Sequence, residues 1–409
     1  MSDSKQQFTV EEALGQILEA VRPLTATERV FLRDALDRVL AQDVPAAFDI
    51  PPSTNSAMDG YAVNAADLPE TGTRRLRVVG EVLAGHPTDR SIAPGECMRI
   101  MTGGLIPDGA DTVVMQEQVE RDGDEILIGH GQRAGQHVRH AGEDLRSGDI
   151  VLQAGRRLQP PDLGLLASQG VVEVGVIRRP IVAFFSTGDE LKGLGQPLAS
   201  GEIYDSNRYT LFGMLRRLGV EIFDFGVVGD DREALDEAIR RATAIADVVV
   251  TSGGVSVGAV DYVKQSLEAL GRINFWRIAM KPGRPLTFGH LGDTMFFGLP
   301  GNPVSVMATF ALFVRPAILR LSGEANKPAL KHRAVTEHAL KKHPGRTDFQ
   351  RGVFRQDDNG VIGVSTTGLQ GSHVLSSMSR ANCLVVLPLD WGDVPEGTEV
   401  EILPFDALF

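Results

Sequence analysis

The feature that most constrains the fold is a regular alternation of segments between Arg179 and about Gly323. Short apolar runs, such as Ile181 to Phe185, alternate with segments of helical spacing, such as Arg232 to Ala244. Strands interleaved with amphipathic helices predict a parallel sheet built by right-handed crossovers. We therefore predict an α/β domain over residues 179–326, with a ligand site beyond the carboxyl ends of its strands.

One stretch of this segment, Ala246 to Lys264, has the order strand, glycine loop, helix. The β-branched run Val248 to Val250 leads into a Ser/Gly loop, and Asp261 then opens a segment of helical spacing. Glycines let backbone N–H groups approach an anion, and the following helix N-terminus presents unpaired donors. A carboxylate repels a neighbouring phosphate unless a divalent cation lies between them, so the loop and Asp261 together indicate phosphate and metal. The same residues also fit a simple turn with Asp261 as the helix cap.

Charged side chains follow several of the predicted strands, which places them on one rim of the sheet. They are Glu190, Asp230, Asp261 and Lys281. Carboxylates gathered at one site raise one another's pKa, and a bound Mg²⁺ would relieve that cost. Lys281 and Arg284 supply the opposite charge, a point charge and a planar fork that suit a tetrahedral oxyanion. Taken singly, each acidic residue also fits an ordinary cap or turn.

Most standard catalytic signatures are missing from the sequence. It contains no GxxxxGK[ST] and no HExxH, and no GxGxxG accompanies the glycine loop. Gly254 to Gly258 reads GxSxG between a strand and a helix, the setting of a nucleophile elbow, but no HGGG-type stretch lies upstream. Ser256 is therefore interpreted as an anion-loop hydroxyl rather than a nucleophile.

The segments on either side predict different structures. Residues 8–42 read as two helices, the first with Thr9 and Glu12 as a capping box and the second over Thr27 to Leu40. Short strands between turns predict a β domain over residues 51–144. Residues 145–178 are expected to return the chain to residues 1–50 and to complete an N-terminal helical/linking domain. Residues 327–409 again read as β-rich.

Composition excludes several classes of partner. Among 409 residues, 41 Lys and Arg against 53 Asp and Glu give a net charge of -12, which argues against nucleic-acid binding and against an anionic membrane surface. Cys97 and Cys383 form no CxxC, so neither a disulfide framework nor a structural zinc site is indicated. The N-terminal residues are polar and then amphipathic. We therefore expect a cytoplasmic protein that is neither exported nor inserted into a membrane.

Six motifs occur in order along the chain. They are Asn55 to Ala62, Thr187 to Leu191, Tyr204 to Asn207, Thr251 to Tyr262, Met280 to Gly283 and Gly298 to Ser305. Together they resemble the molybdopterin molybdenumtransferase family, the MoeA type that is also seen as the E domain of gephyrin. The resemblance covers essentially the whole chain.

The resemblance implies insertion of molybdenum from molybdate into adenylylated molybdopterin, with release of AMP and with Mg²⁺ as cofactor. It implies a multidomain α/β fold: a three-layer α/β domain resembling molybdopterin adenylyltransferase, an N-terminal helical/linking domain, a β domain and a C-terminal β-barrel over residues 327–409. It also implies a homodimer with active sites shared between subunits, and a transient contact with molybdopterin adenylyltransferase.

Site residues are carried over from the family motif by motif. The functional set is Asp59, Thr102, Asp144, Glu190, Asp230, Asp261 and Lys281, with Asp59, Asp230 and Asp261 as metal ligands. The substrate-binding positions are Ser252, Gly253, Gly254, Ser256, Gly258, Arg284, Pro300, Pro303, Arg346 and Ser377. Arg277 and Arg284 depart from the family, which often has Lys at both positions, so the geometry of the oxyanion contacts differs although the charge is kept.

Two other functions stay open at this point. An adenylyltransferase would share the α/β domain, but the β domain and the motif at residues 55–62 count against it. A non-catalytic scaffold, as in the receptor-clustering use of gephyrin, would bind peptide without releasing AMP, and no feature of the sequence calls for it.

Overall fold

The computed structural model describes residues 7–253, 271–324 and 328–409. The first segment contains β1 (Gln7–Phe8), helix α1 (Val10–Ala20), β2 (Thr27–Phe31) and β3 (Val44–Pro45). The predicted capping box of α1 is confirmed, because the Thr9 hydroxyl accepts from the Glu12 N–H and the Glu12 carboxylate accepts from the Thr9 N–H. The buried face of α1 belongs to the same apolar cluster as one face of the α/β sheet.

The second predicted helix, over Thr27 to Leu40, is wrong. Its first part is strand β2, which pairs antiparallel with a later strand, Glu173–Ile177, and a short 3₁₀ turn at Leu32–Asp34 follows. Asp37 has a φ of 61°, which a regular α-helix does not contain. Pairing with a distant strand therefore outweighs the helical spacing of the leucines.

Residues 51–144 contain eight strands, six of which form one sheet. The strands are β4 (Asn55–Ser56), β5 (Gly60–Val63), β6 (Thr73–Val82), β7 (Glu96–Ile100), β8 (Thr112–Met115), β9 (Val119–Asp122), β10 (Glu125–Gly129) and β11 (Val138–Arg139). The sheet order is β8-β5-β7-β6-β10-β9, and β4 pairs with β11 outside it. Neighbouring residues such as Tyr61 and Ala62 belong to two different apolar clusters, so both faces of the sheet are covered.

Residues 145–178 return the chain to its N-terminal segment. Strand β12 (Ile150–Leu152) pairs with β3, helix α2 (Pro160–Ser168) follows, and β13 (Glu173–Ile177) pairs with β2. Leu40, Leu158 and Val176 lie in one cluster formed by these elements. The segments on both sides of the six-stranded sheet therefore pack together.

Residues 179–324 contain the sheet on which the candidate site is built. The elements are β14 (Ile181–Thr187), β15 (Leu191–Lys192), β16 (Ile203–Tyr204), α3 (Ser206–Leu218), β17 (Glu221–Val228), α4 (Arg232–Thr243), β18 (Val248–Ser252), β19 (Arg272–Ile278), β20 (Met280–Lys281), β21 (Pro285–Leu291), β22 (Thr294–Leu299) and α5 (Pro303–Leu321). The seven strands are ordered β1-β19-β21-β22-β18-β14-β17. Helices α1, α3 and α5 cover one face and α4 covers the other, which makes three layers.

The sheet is mixed, which corrects the prediction of a parallel sheet. Strand β21 is antiparallel to both of its neighbours, β19 and β22. The connections on either side of β21 are short, and a parallel crossover needs a dozen residues or more. The other strands stay parallel to one another, so the carboxyl ends of β14, β17, β18, β19 and β22 meet at one edge.

Helix α5 is the most apolar long helix among the described residues. Its length and composition would suit a membrane span, but 72% of its apolar window is buried inside the protein. It contains a π-helical stretch at Phe310–Val314. The apolar surface of α5 is therefore used by the core of the α/β layer.

The C-terminal segment closes into a barrel. Its elements are β23 (His332–Thr336), β24 (Thr347–Gln356), β25 (Ile362–Thr366), α6 (Leu375–Arg380), β26 (Cys383–Leu387) and β27 (Glu399–Pro404). The strands follow the order β24-β25-β23-β27-β26, and β24 also pairs with β26, which closes the ring. The predicted class, a multidomain α/β protein with a three-layer domain, a β domain and a C-terminal β-barrel, is confirmed.

The barrel is joined to the α/β layer by main-chain pairing. Strand β20 pairs in parallel with β24, with Met280 opposite Thr347 and Lys281 opposite Asp348. Apolar residues of the barrel, including Phe349 and Leu403, lie in the same cluster as residues of α5 and the sheet. The two units therefore share one core.

Candidate active site

A cleft of about 1070 Å³ opens at the carboxyl edge of the seven-stranded sheet. Its lining comes from the ends of β14, β18 and β22, from the start of α3, from the turn between β19 and β21, and from the loop before α6. The predicted residues in this lining are Glu190, Asp230, Ser252, Gly253, Lys281, Arg284, Pro300, Pro303 and Arg346. These nine residues therefore lie around one cleft, together with lining residues that were not predicted.

One rim of the cleft is acidic. Asp189 Oδ1 accepts a hydrogen bond of 3.0 Å from the Asp230 N–H, and Glu190 and Asp230 both line the opening. Asp230 as a residue is exposed, yet partial desolvation of its carboxylate, together with the negative charges of Asp189 and Glu190, raises its pKa. Gathered carboxylates of this kind favour a cation or a donor-rich ligand.

The floor of the cleft leaves no room for a side chain at Gly253. Gly253 has a φ of 87°, and a Cβ built on it would lie 2.4 Å from the Thr187 carbonyl oxygen. Below it, the hydroxyls of Ser252 and Ser186 are hydrogen bonded at 3.0 Å, and both serines are buried. At Gly253 the floor therefore presents backbone rather than a side chain to the cleft, as an anion-binding loop requires.

The opposite wall is basic. Lys281, Arg284 and Arg346 line the cleft. Lys281 Nζ lies 3.5 Å from Asp348 Oδ2, and the backbone of Arg284 is fixed by a 2.7 Å bond from the Ile278 N–H to its carbonyl. An ammonium and two guanidinium groups on one wall suit a multiply charged oxyanion.

A second part of the wall, the loop Gln370 to His373, was not predicted. Buried Arg351 holds this loop, because its guanidinium donates to the carbonyls of Leu369 and Gly371 at 3.3 and 3.0 Å. The sequence signal for this loop was weak, since His373 in a polar loop is most simply read as a turn histidine.

Ser377 lies behind this wall rather than in the cleft. It is fully buried, its Oγ accepts from Arg351 Nε at 2.9 Å, and the same hydroxyl donates to the Val374 carbonyl at 2.6 Å. Both hydrogen bonds keep the hydroxyl inside the protein. The structure therefore gives Ser377 a supporting position.

Buried polar groups at the start of α3 were also missed as site residues, although their motif was noted. Asp205 caps α3 by accepting from the Arg208 N–H at 3.1 Å, and Asn207 Nδ2 donates to the Gly301 carbonyl at 2.7 Å. Both side chains line the cleft, and each keeps one buried oxygen without a partner among the described residues.

Three predicted residues lie in the β domain and do not line this cleft. Asp59 Oδ1 accepts from the N–H and the hydroxyl of Thr102 at 2.7 and 2.8 Å, and these bonds lower the pKa of Asp59. Asp144 is exposed, and its N–H donates to the Ile50 carbonyl. Asp59 and Thr102 are therefore together with each other but apart from the cleft.

Four predicted residues lie outside the described part of the chain: Gly254, Ser256, Gly258 and Asp261. Within residues 7–253, 271–324 and 328–409, no three His, Cys, Asp or Glu side chains converge in a metal-binding arrangement.

Comparison with protein families accounts for nearly the whole chain. Residues 8–170 match the MoeA N-terminal region (domain I and II), residues 183–320 match the probable molybdopterin binding domain, and residues 333–405 match the MoeA C-terminal region (domain IV). The β domain and the barrel thus match MoeA regions, and the α/β layer between them matches a molybdopterin-binding description.

Individual relatives agree with this. The chain is 43% identical to a molybdopterin molybdenumtransferase of Haemophilus influenzae over 98% of this chain and 99% of the relative. It is 38% identical to a molybdopterin molybdenumtransferase of a Nostoc species over 92% of this chain and 88% of the relative.

A solved structure shows the same fold. The crystal structure of the molybdopterin biosynthesis MoeA protein from Pyrococcus horikoshii superimposes with a TM-score of 0.85 at 32% identity, covering 98% of this chain and 100% of that one. The six ordered motifs, the four structural parts and these full-length matches agree, and the chain belongs to the molybdopterin molybdenumtransferase (MoeA) family.

Proposed function

We propose that this chain is a molybdopterin molybdenumtransferase, which inserts molybdenum from molybdate into adenylylated molybdopterin and releases AMP. The observation that carries the proposal is a single cleft with an acidic rim at Glu190 and Asp230 and a basic wall at Lys281, Arg284 and Arg346. Full-length relatives carry the same activity in their names. The match of family descriptions to the β domain and barrel disfavours an adenylyltransferase, whose activity would need only the α/β layer.

The residues of the cleft divide the work by charge. Lys281 and Arg284, with Arg346, hold molybdate, because an ammonium and planar guanidinium forks match a tetrahedral oxyanion. Ser252 and Gly253 receive the pyrophosphate, with Gly254, Ser256 and Gly258 of the same motif, which lie outside the described residues. Pro300 and Pro303 shape the floor. Anhydride cleavage then needs positioning and charge neutralisation, and no covalent enzyme intermediate.

Mg²⁺ is part of the proposal as a cofactor. Asp230, beside Asp189 and Glu190, offers the hard oxygen donors that Mg²⁺ prefers, and a cation would offset the desolvation and the repulsion that raise the Asp230 pKa. Asp261 of the same chain, together with Asp59 of the partner subunit, would complete the ligand set. When bound, the ion neutralises phosphate charge.

A homodimer with shared sites is the second structural part of the proposal. It is supported by the separation of Asp59 and Thr102 from the cleft within one chain. In a symmetric dimer, the β domain of one subunit, with Asp59, Thr102 and Asp144, would face the cleft of the other. We also propose that the enzyme is cytoplasmic, in keeping with its two buried free cysteines. A transient contact with molybdopterin adenylyltransferase is a further part of the proposal.

The test of the activity is release of AMP from adenylylated molybdopterin in the presence of molybdate and Mg²⁺, with molybdate withheld as control. Lys281→Ala and Asp261→Ala are expected to lower the rate by about 100-fold, the usual scale for losing an electrostatic group at a reacting centre. Release of AMP at the unmutated rate in either variant would refute the assignment of that residue.

Mixing two inactive variants tests the shared site. Asp59→Ala and Lys281→Ala disable different halves, so a heterodimer keeps one intact site of two, and random mixing restores about a quarter of the activity. Mixing Arg284→Ala with Lys281→Ala is the control, since both residues line one cleft and no intact site forms. The shared site would be contradicted if activity recovered only in the control mixture. It would also be contradicted if subunits exchanged between dimers and neither mixture recovered activity.

A further inference from the structure

Asp348 places a negative charge beside the basic wall of a cleft that is expected to receive an anion. The residue is only 4% exposed, and its Oδ2 lies 3.5 Å from Lys281 Nζ. The same oxygen accepts a hydrogen bond of 3.1 Å from Gln350 Nε2, which also donates to the Lys341 carbonyl at 2.8 Å. A carboxylate held this firmly needs an explanation, because it weakens the attraction of the wall for an anion.

The surroundings of Asp348 are otherwise cationic and buried. Lys342 is 3% exposed and Arg351 is 1% exposed. Burial lowers the pKa of both groups, and the negative charge of Asp348 acts in the opposite direction on each. Lys342 Nζ also donates to main-chain carbonyls, the shortest bond being 2.8 Å to Trp391. Asp348 is thus a counter-ion shared by buried cations of the barrel and by Lys281 of the cleft.

Backbone pairing fixes the contact between Asp348 and Lys281. The two residues are register partners in the parallel ladder between β20 and β24, and the Thr347 N–H donates to the Ala279 carbonyl at 2.8 Å. The side chain of Lys281 is 43% exposed and that of Asp348 is 6% exposed. A flexible, half-exposed lysine is therefore tethered to a rigid, buried acceptor.

We propose that Asp348 is a positioning residue that holds the Lys281 ammonium in the orientation needed to bind the substrate oxyanion. The C-terminal barrel thereby contributes to the cleft through a side chain that does not itself line it. This inference rests on the proposed function, because it needs Lys281 to bind molybdate.

A double-mutant cycle on the molybdate KM of AMP release tests the inference. Asp348→Ala is expected to raise this KM about 10-fold with kcat within about 2-fold, since a misplaced positioning group costs one to two orders of magnitude. In the Lys281→Ala background, the same change is expected to give no further rise, because a residue that acts through Lys281 has no effect without it. A loss of folded protein would lower the apparent kcat and leave KM unchanged.

Each outcome of the cycle has one meaning. If Lys281→Ala leaves KM and kcat unchanged, the proposed role of Lys281 fails and the proposal for Asp348 falls with it. If Lys281→Ala is impaired but Asp348→Ala raises KM by the same factor in both backgrounds, only the inference about Asp348 is overturned.

Two further variants control for folding and for surface charge. If Asp348→Ala does not fold, the cycle is run with Asp348→Asn, which keeps an acceptor oxygen and is expected to raise KM about 3-fold through the lost charge. Equal KM values for Asp348→Asn and the unmutated protein would then overturn the proposal. Glu401→Ala removes an exposed carboxylate paired with Lys331 at 2.7 Å on the same barrel, and it is expected to change neither constant.

Discussion

At the scale of single residues, local geometry requires glycine at position 253. A Cβ at this position meets the Thr187 carbonyl oxygen at 2.4 Å, in a backbone conformation with a φ of 87°. We expect Gly253→Ala to lower the free energy of unfolding by about 3 kcal/mol, from overpacking and left-handed strain together. Urea denaturation measures this change.

Gly72→Ala is the matched control for that substitution. Gly72 has a φ of 67°, but no atom lies within 4 Å of a Cβ built on it. Gly72→Ala should lower the free energy of unfolding by only about 1 kcal/mol, because only the backbone conformation is unfavourable for alanine. Equal losses at the two positions would mean that the close approach to Thr187 has no energetic consequence.

Asp230 predicts a pH dependence of stability with a definite sign. Its pKa is raised above the ordinary value of 3.8 by desolvation and by Asp189 and Glu190. The ionised form is therefore disfavoured in the folded state, and Asp230 contributes a destabilisation that appears as pH rises from 3.8 through its folded-state pKa. Asp230→Asn is expected to raise the Tm at pH 7, and the difference from the unmutated protein should shrink as the pH falls toward 3.8.

Asp59 gives the opposite sign and serves as the comparison. Hydrogen bonds from Thr102 lower its pKa, so its ionised form is favoured on folding and its contribution is lost as pH falls through that lowered pKa. Asp59→Asn should lower the Tm at pH 7. A Tm shift of the same sign in both Asn variants would contradict the electrostatic account of at least one site.

The sequence predicted residues of the cleft well where a charged group follows a strand. Glu190, Asp230 and Lys281 all reached the same edge, because strand direction determines which loops meet. The loop Gln370 to His373 was not predicted as part of the cleft, because its position depends on hydrogen bonds from buried Arg351, which no local sequence pattern encodes. Ser377 was carried over from the family resemblance, and its buried hydroxyl, bonded to Arg351, lies behind that wall.

At the scale of secondary-structure elements, helix α1 offers a clean test of capping. The reciprocal bonds between Thr9 and Glu12 measure 3.1 and 2.8 Å. Thr9→Ala removes the side-chain acceptor, and we expect a loss of about 1 kcal/mol in unfolding free energy. Thr9→Ser keeps an acceptor and should lose less than half of that. Chemical denaturation of the two variants distinguishes them, and equal losses would exclude capping as the cause.

An element with a strong local signal was predicted nearly to the residue. Helix α4 spans Arg232–Thr243 after its Asp231 cap, and the segment of helical spacing was Arg232 to Ala244. Strand β2 was misread because its identity depends on pairing with β13, more than a hundred residues away along the chain. The antiparallel direction of β21 was missed because periodicity within a strand carries no information about direction.

At the scale of the whole molecule, the two cysteines report on different parts of the fold. Cys97 and Cys383 are buried and free, and burial raises the pKa of each thiol to about 12. Neither should react with a thiol reagent at pH 8 while the protein is folded, because the thiolate is the reactive form. Labelling during urea denaturation then reports when each region opens.

The two thiols are expected to become reactive at different urea concentrations. Cys97 lies in an apolar cluster confined to the β domain. Cys383 lies in a cluster of the barrel, and the next residue, Leu384, belongs to the large cluster shared by the barrel and the α/β layer. We expect Cys383 to follow the unfolding of the α/β layer and Cys97 to follow a separate transition. Single-cysteine variants with Ser at the other position separate the signals, and coincident midpoints would show a single cooperative unit.

The pairing of β20 with β24 also bears on the order in which the protein can mature as it is made. Strand β20 contains Lys281, and its partner β24 begins at Thr347, so the wall of the cleft lacks its neighbour until the chain has been synthesised well past Asp348. A nascent chain that ends before the barrel would carry the cleft sequence without a finished wall. The basic wall is therefore completed only after the barrel segment has been synthesised and has paired with β20.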